Sequence, residues 1–198
     1  MHQVTTSPEP IRAVSVAEAA DIIPNAERIL IFGCAGTGKS TLAQALARRF
    51  HLTYVSMDRD IFWLPGWKLR PREEFVQRIR DAVAGERWIM DGNSPSTLPI
   101  RLARTDIVLW RRPPRSVAVS SVLRRWWKYY GQTRPEMAPG CPEKIDLKFL
   151  QYIWTFEKQE APQFEAILAS HGSGIPVLTL RSFQESDELL SLLPAGND

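Results

Sequence analysis

The sequence contains little cysteine: Cys34 and Cys141 are the two thiols among 198 residues. Two cysteines are too few for a disulfide scaffold, and no second pair is present that would complete a zinc site. The chain also lacks an apolar run close to the ~18 residues needed to cross a bilayer. Its first residues, MHQVTTSPEPIRAV, lack the apolar core of a signal peptide. We therefore expect a cytoplasmic protein without a membrane partner.

The composition is typical of a globular protein, with 44% hydrophobic and 24% charged residues. It excludes a wholly disordered or collagen-like chain, and the length fits one domain. A net charge of +3 hides a surplus of arginine, 19 residues against 6 lysines. Arginine binds phosphate and carboxylate as a planar fork, although codon usage would also explain the surplus. Because the basic residues are spread along the chain, nucleic acid is not expected as a partner.

Short apolar runs alternate with helical patterns along most of the chain. Five runs predict strands: Arg28–Phe32, Leu52–Met57, Arg87–Met90, Asp106–Trp110 and Ile175–Leu180. Alternation of this kind predicts a parallel sheet in a three-layer α/β sandwich, with ligands at the carboxyl ends of the strands. We assign residues 1–26 to an N-terminal extension with a short helix that Ser15 caps.

The first predicted strand runs into a loop that fits G-x-x-x-x-G-K-[ST], the Walker A pattern. Glycines let main-chain N–H groups point inward at an anion, Lys39 neutralises β- and γ-phosphate oxygens, and the Ser40 hydroxyl is a ligand for Mg²⁺. The strand before the loop and the amphipathic helix after it make a plain glycine turn a weak alternative. The predicted nucleotide-binding residues are Gly33, Cys34, Ala35, Gly36, Thr37, Gly38, Lys39, Ser40 and Thr41.

The extra glycine at position 36 resembles the loop of nucleoside monophosphate kinases, and further segments resemble the FlaR-type proteins. That adenylate-kinase-related family is often labelled DNA topology modulation protein. The similar segments are Asp58 with Trp63–Trp67, then Trp88–Asn93, Gly131–Pro135, Gly140–Glu143 and Phe149–Trp154. The resemblance implies a P-loop kinase domain over residues 27–198, with five parallel strands in the order 2-3-1-4-5 and a short lid at about 125–145. It also implies ATP as the phosphoryl donor and an adenine site at Arg181 and Ser182.

Two acidic residues follow predicted strands. Asp91 is similar to the aspartate that ends the corresponding strand of adenylate kinases, so we expect it to hold the Mg²⁺ shell with Ser40 in the manner of a Walker B acid; a turn cap is the alternative. Asp58 resembles the aspartate of shikimate- and gluconate-kinase-like proteins that binds an acceptor hydroxyl and accepts its proton. Its alternative role is that of an ordinary turn residue.

Phosphoryl transfer also needs positive charge over the transferred group and exclusion of water. We expect Arg124 or Arg125, together with Arg134, to close on the phosphates as part of the lid. A solvated or ion-paired surface position is the alternative for each of these arginines.

The predicted acceptor side carries arginine, tryptophan and asparagine. Arg101 and Arg104 precede the fourth strand and would bind an acceptor phosphate or carboxylate, unless they pair with Asp106 or another acid at the surface. Trp63 and Trp67 would form an aromatic wall or, alternatively, pin their loop to the body. Asn93 is expected to touch the acceptor; here Asn93-Ser94-Pro95 replaces the Phe-Pro-Arg of adenylate kinases and so removes an arginine from this position.

These features predict an ATP- and Mg²⁺-dependent phosphotransferase, whose small acceptor is a nucleoside monophosphate or a hydroxyl compound. The alternative is a nucleotide-binding regulator that acts on DNA topology without kinase turnover, which would need a basic face and a steep salt dependence of DNA affinity. A plain NTPase without an acceptor is the third possibility. The sequence leaves the acceptor and the oligomeric state open.

Overall fold

The computed structural model of the chain describes residues 10–195. The strands are β1 (Arg12–Val14), β2 (Arg28–Gly33), β3 (Thr53–Ser56), β4 (Trp63–Leu64), β5 (Lys68–Leu69), β6 (Trp88–Asp91), β7 (Ile107–Arg111) and β8 (Pro176–Leu180). The helices are α1 (Val16–Ile22), α2 (Lys39–Phe50), α3 (Arg72–Ala84), α4 (Leu98–Leu102), α5 (Arg115–Lys128), α6 (Leu147–Gln159), α7 (Ala161–His171) and α8 (Phe183–Leu192). Single-turn helices span Ile23–Asn25 and Pro95–Thr97, and a π-helical turn spans Met57–Phe62.

Six strands form one parallel sheet in the order β3-β6-β2-β7-β8-β1, and β4 pairs with β5 in a separate antiparallel hairpin. The prediction of five strands is therefore wrong, and the complete order differs from the predicted one by an added edge strand. That strand, β1, pairs with β8 from Arg12↔Pro176 to Val14↔Leu178. It has only three residues, and its first two side chains are exposed. So short and exposed a strand gives no hydrophobic periodicity in the sequence.

Helices cover both faces of the sheet, because side chains along each strand alternate in direction. In β2, Ile29 and Ile31 pack with α1, α2 and α8, whereas Leu30 and Phe32 pack with the helices of the opposite face. Both sets are fully buried. The result is the three-layer arrangement expected from the sequence. Helices within residues 10–195 are all too short or too polar to span a membrane.

The predicted N-terminal extension is described in part. Its residues 1–9 lie outside the described residues, and residues 12–22 supply β1 and α1. Ser15 caps α1 as expected: its hydroxyl accepts from the Glu18 N–H, and the Glu18 carboxylate accepts from the Ser15 N–H at 2.7 Å. Buried Ala19 and Ala20 then place α1 against the sheet.

Replacing Ser15 with alanine is expected to lower the free energy of unfolding by about 1 kcal/mol, because the cap of α1 is lost. Ser170→Ala is the matched control. Ser170 lies inside α7 and bonds the carbonyl one turn back, where alanine is the better helix former. Urea unfolding measures both. Equal stability of the two variants would contradict a stabilising cap at Ser15.

Candidate active site

The predicted phosphate loop joins the carboxyl end of β2 to the first turn of α2. Gly36 and Gly38 have φ values of +76° and +82°, which favour glycine. A Cβ on Gly36 would also lie 2.5 Å from the Ala118 carbonyl of α5. The Lys39 side chain folds back onto the loop, and its Nζ donates to the Cys34 carbonyl at 2.8 Å. The loop therefore has the glycine-dependent shape that an anion nest requires.

Cys34 has no sign of redox reactivity. Its thiol is buried and donates to the Ile153 carbonyl at 3.8 Å. Burial raises the pKa of the thiol to about 11 despite the nearby Lys39 charge, and a thiol that stays protonated is a poor nucleophile. Cys34 is best explained as a small side chain that fits the loop.

Asp91 and Ser40 lie together beside the loop. Asp91 ends β6 and is 3% exposed. Burial raises its pKa to about 6, while a hydrogen bond from Ser40 and the charge of Lys39 act in the opposite direction. Tyr54 also donates to its Oδ1 at 3.3 Å. A hydroxyl and a carboxylate are the oxygen ligands that Mg²⁺ prefers, with water and phosphate completing its shell, so these two residues fit the predicted metal. Residues 10–195 contain no cluster of three or more His, Cys, Asp or Glu side chains suited to a metal.

A cavity of about 460 Å³ opens from the phosphate loop toward the end of β3. Lys39 lies at one wall, and Asp58, in the π-helical turn, lies at another. Asp58 keeps contact with solvent because it faces this cavity. The protein around it raises its pKa by desolvation, against the charges of Lys39, Arg134 and Arg125. The cavity therefore joins the predicted phosphate site to the predicted acceptor carboxylate.

Two of the three predicted lid arginines face this cavity, and one carboxylate holds both. Arg125 Nη2 lies 2.8 Å from Glu143 Oε1, and Arg134 Nε bonds Glu143 Oε2. The Glu143 side chain is only 3% exposed. Arg124 is exposed on the outer side of α5 and does not line the cavity, so its expected role is corrected. Glu143 was not predicted as a site residue, although it ends the Gly140–Glu143 segment that carries part of the family resemblance. Its irregular, proline-rich surroundings have no periodicity that would indicate a role.

Trp63 and Trp67 line the cavity and also fix the hairpin that carries them. They pack edge to face with ring centres 5.1 Å apart. Trp67 Nε1 donates to the Pro142 carbonyl at 3.2 Å, and Trp63 packs against Met137 and Cys141. The role of pinning the loop is thus observed, whereas contact of an aromatic wall with an acceptor stays a prediction. The β4–β5 hairpin and the lid segment therefore form one wall of the cavity.

Arg101 and Arg104 do not reach the acceptor cavity. The Arg101 side chain is completely buried, and its two terminal nitrogens donate to the Gly92 and Ser94 carbonyls at 3.0 and 2.8 Å. Burial lowers its pKa to about 9. Arg104 is exposed and donates to the Ala84 carbonyl. Both predicted acceptor roles are wrong, and so is the alternative pairing with Asp106, which binds Arg28 instead.

Asn93 lines the cavity and also bonds the main chain of the phosphate loop. Its side chain accepts from the Gly33 N–H at 3.0 Å and donates to the Gly33 carbonyl at 2.8 Å. Contact with an acceptor remains a prediction for this residue.

The predicted adenine loop is tied to the phosphate loop by Arg111, which sequence reasoning left without a role. Ser182 caps α8, while the Arg181 side chain is exposed. Arg111 is 1% exposed; its Nε donates to the Thr37 carbonyl at 2.7 Å and its Nη1 to the Ser182 carbonyl at 2.8 Å. A signal existed in the sequence, because a charged residue directly after a buried apolar strand marks the functional edge of a parallel sheet.

Comparison with known proteins gives a structural likeness alone. No protein-family model matches the chain, and no curated protein matches it. The FlaR resemblance therefore stays a prediction. The structure is similar to shikimate kinase from Acinetobacter baumannii in complex with shikimate, with a TM-score of 0.51 and 14% identity over 87% of this chain and 93% of that chain. Shikimate kinase from Bacteroides thetaiotaomicron gives a TM-score of 0.47 and 15% identity, over 84% and 95% of the two chains. At 14% sequence identity, the likeness to the first protein shows a shared fold alone.

Proposed function

We propose that this protein is an ATP- and Mg²⁺-dependent phosphotransferase that transfers the γ-phosphoryl group to a small acceptor. The observation that carries the proposal is that one cavity is lined both by Lys39 of the phosphate loop and by Asp58. A nucleotide-binding loop alone would serve an NTPase. A walled cavity beside it, with a carboxylate facing in, suits a second substrate.

The phosphate side depends on main-chain groups and one cation. Main-chain N–H groups of residues 34–40 would bind the phosphates, and Lys39 would move from the Cys34 carbonyl to phosphate oxygens. Ser40 and Asp91 would hold Mg²⁺, which supplies charge neutralisation of the phosphates. Burial lowers the pKa of Lys39, while Asp91 and Asp58 oppose this effect and so help to keep the ammonium charged.

The acceptor side depends on Asp58 and the lid. For a hydroxyl acceptor, Asp58 would orient the O–H group and take its proton as the acceptor oxygen bonds to the γ-phosphorus. The bond from that phosphorus to the bridging oxygen then breaks, and ADP leaves. Arg125 and Arg134 would place positive charge over the transferred group, and the segment at about 125–145 would exclude water.

The acceptor class is a nucleoside monophosphate or a hydroxyl compound. A hydroxyl needs the proton acceptor that Asp58 provides, whereas a phosphate oxygen is already nucleophilic. The structurally similar shikimate kinase is in complex with shikimate, a small molecule. That likeness supports a small acceptor for this chain as well.

Replacing Lys39 with alanine is expected to lower ATP turnover by about 10³-fold or more, because a preorganised cation is lost from the transition state. ADP release in the presence of an acceptor panel measures turnover, and calorimetry with Mg²⁺ measures ATP binding. Lys148→Ala, at an exposed position on α6, is the control and should retain activity. Full phosphotransfer by the Lys39 variant would refute the assignment.

Asp91→Asn is expected to stabilise the unliganded fold while reducing phosphotransfer. The folded pKa of about 6 lies above the ordinary 3.8, so the ionised carboxylate costs stability, and this cost grows as the pH rises from about 4 through 6. The variant should gain about 3 kcal/mol at pH 8 and less than about 1 kcal/mol at pH 4. Urea unfolding at the two pH values tests this. A wild-type protein that equals or exceeds the variant in stability at pH 8 would contradict a desolvated Asp91.

A further inference from the structure

We infer that the acceptor is an uncharged alcohol that carries a planar ring, rather than a monophosphate or a carboxylate, and that Glu143 sets this preference. The inference rests on the proposed phosphotransferase function and concerns the same cavity. It follows from the charges already paired in the cavity walls and from the aromatic surface between them.

Glu143 occupies the two arginines that would otherwise attract an anionic acceptor. Each of its carboxylate oxygens bonds one guanidinium, Oε1 with Arg125 and Oε2 with Arg134. An acceptor phosphate that took over both guanidinium groups would leave a carboxylate that is 3% exposed without partners. Leaving a buried charge unpaired costs several kcal/mol. In the proposed reaction the charge of the arginine pair is already shared between Glu143 and the transferred phosphoryl group, so little of it is left for an acceptor anion.

Among the remaining charges of the cavity, Lys39 belongs to the proposed phosphate site, and the others do not provide an anion site either. Asp58 and Asp146 are wall residues whose carboxylates would repel an anionic acceptor. Lys144 is exposed, and its ammonium lies 4.6 Å from the centre of the Trp67 ring, so it is a solvated cation at the edge of the wall. The buried Arg101 donates to main-chain carbonyls. An uncharged acceptor avoids the repulsion and needs none of these cations.

The apolar part of the wall is aromatic. Phe62, Trp63 and Trp67 line the cavity, and neighbouring rings among them meet edge to face at 70° and 78°. Phe149 and Tyr152 also line the cavity, and their two rings are stacked. A planar ligand can stack on the face of one aromatic ring and meet the edge of another, which adds contact area and favourable ring geometry. A cavity of about 460 Å³ lies at the small end of ligand sites.

Pairs of acceptors that share a ring, one neutral and one anionic in each pair, provide the direct test on the wild-type protein. The pairs are uridine with UMP, adenosine with AMP, and 1,4-benzenedimethanol with 4-(hydroxymethyl)benzoate; glycerol is the alcohol without a ring. ADP release is measured with ATP and Mg²⁺. We expect kcat/KM to be at least about tenfold higher for the neutral ring alcohol of at least one pair than for its anionic partner and for glycerol.

Three results would overturn the inference: equal or higher kcat/KM for the anionic partners, equal use of glycerol, or ATP turnover that none of the neutral alcohols accelerates. Failure of the proposed function itself is recognised separately. In that case calorimetry with Mg²⁺ detects no ATP binding, and ADP release is the same for the wild type and Lys39→Ala.

Glu143→Gln tests the source of the preference. Loss of the carboxylate charge frees Arg125 and Arg134, so the ratio of kcat/KM for the anionic acceptor to that for the neutral one should rise by about tenfold or more. Glu157→Gln is the matched control, since Glu157 pairs with Arg112 outside this cavity. An unchanged ratio in a folded Glu143 variant would remove Glu143 as the determinant. If the Glu143 variant does not fold, Arg125→Met replaces it, since this variant leaves Glu143 with one guanidinium. The ratio of kcat/KM for the anionic acceptor to that for the neutral one should then fall further. A rise of this ratio would contradict the role of Glu143.

Discussion

The candidate site depends on side chains that hold the main chain of the phosphate loop. These side chains lie at the carboxyl ends of the two strands on either side of β2. The loop leaves β2, which lies between β6 and β7 in the sheet. From the β6 side, Asn93 bonds both the N–H and the carbonyl of Gly33. From the β7 side, Arg111 bonds the Thr37 carbonyl. A phosphate nest has little rigidity of its own, because glycines shape it. These contacts therefore fix the loop before any ligand binds, which lowers the entropic cost of binding.

The surplus of arginine over lysine has a structural explanation in this fold. Buried and half-buried main-chain carbonyls need donors, and guanidinium groups supply them at several places. Arg49 bonds three carbonyls near the end of α8, Leu190 to Pro194, and Arg101 bonds two beside β6. One guanidinium offers up to five N–H donors in a plane, and an ammonium offers three around one atom. The donors of lysine all lie on one nitrogen, so it would not reach the separated carbonyls that the different nitrogens of one guanidinium reach together. The surplus therefore need not indicate nucleic-acid binding.

Sequence reasoning located the parts of the site that are encoded locally. The phosphate loop follows β2, Asp58 follows β3 and Asp91 ends β6, and the carboxyl ends of parallel strands converge at one edge. It failed where direction depends on tertiary packing. Arg101 and Arg104 are neighbours in sequence, yet one is completely buried and the other is exposed; no local pattern separates them. Glu143 lies in an irregular segment without periodicity, and β1 is too short to show any. The strand count and the lid chemistry were therefore beyond the sequence.

Asp58 and Glu143 show how one cavity gives two carboxylates different tasks. Both oxygens of Glu143 bond guanidinium groups, so this carboxylate fixes the positions of Arg125 and Arg134. Asp58 faces the cavity, and desolvation raises its pKa, which makes it a stronger proton acceptor than an ordinary aspartate. A general base must be free to contact the acceptor. If Asp58 were paired as Glu143 is, and Glu143 unpaired as Asp58 is, neither the proposed base nor the fixed arginine pair would remain. Arg125 and Arg134 bond Glu143 and act on Asp58 through their charges alone. In the proposed reaction, the Asp58 carboxylate is therefore free to accept a proton from an alcohol.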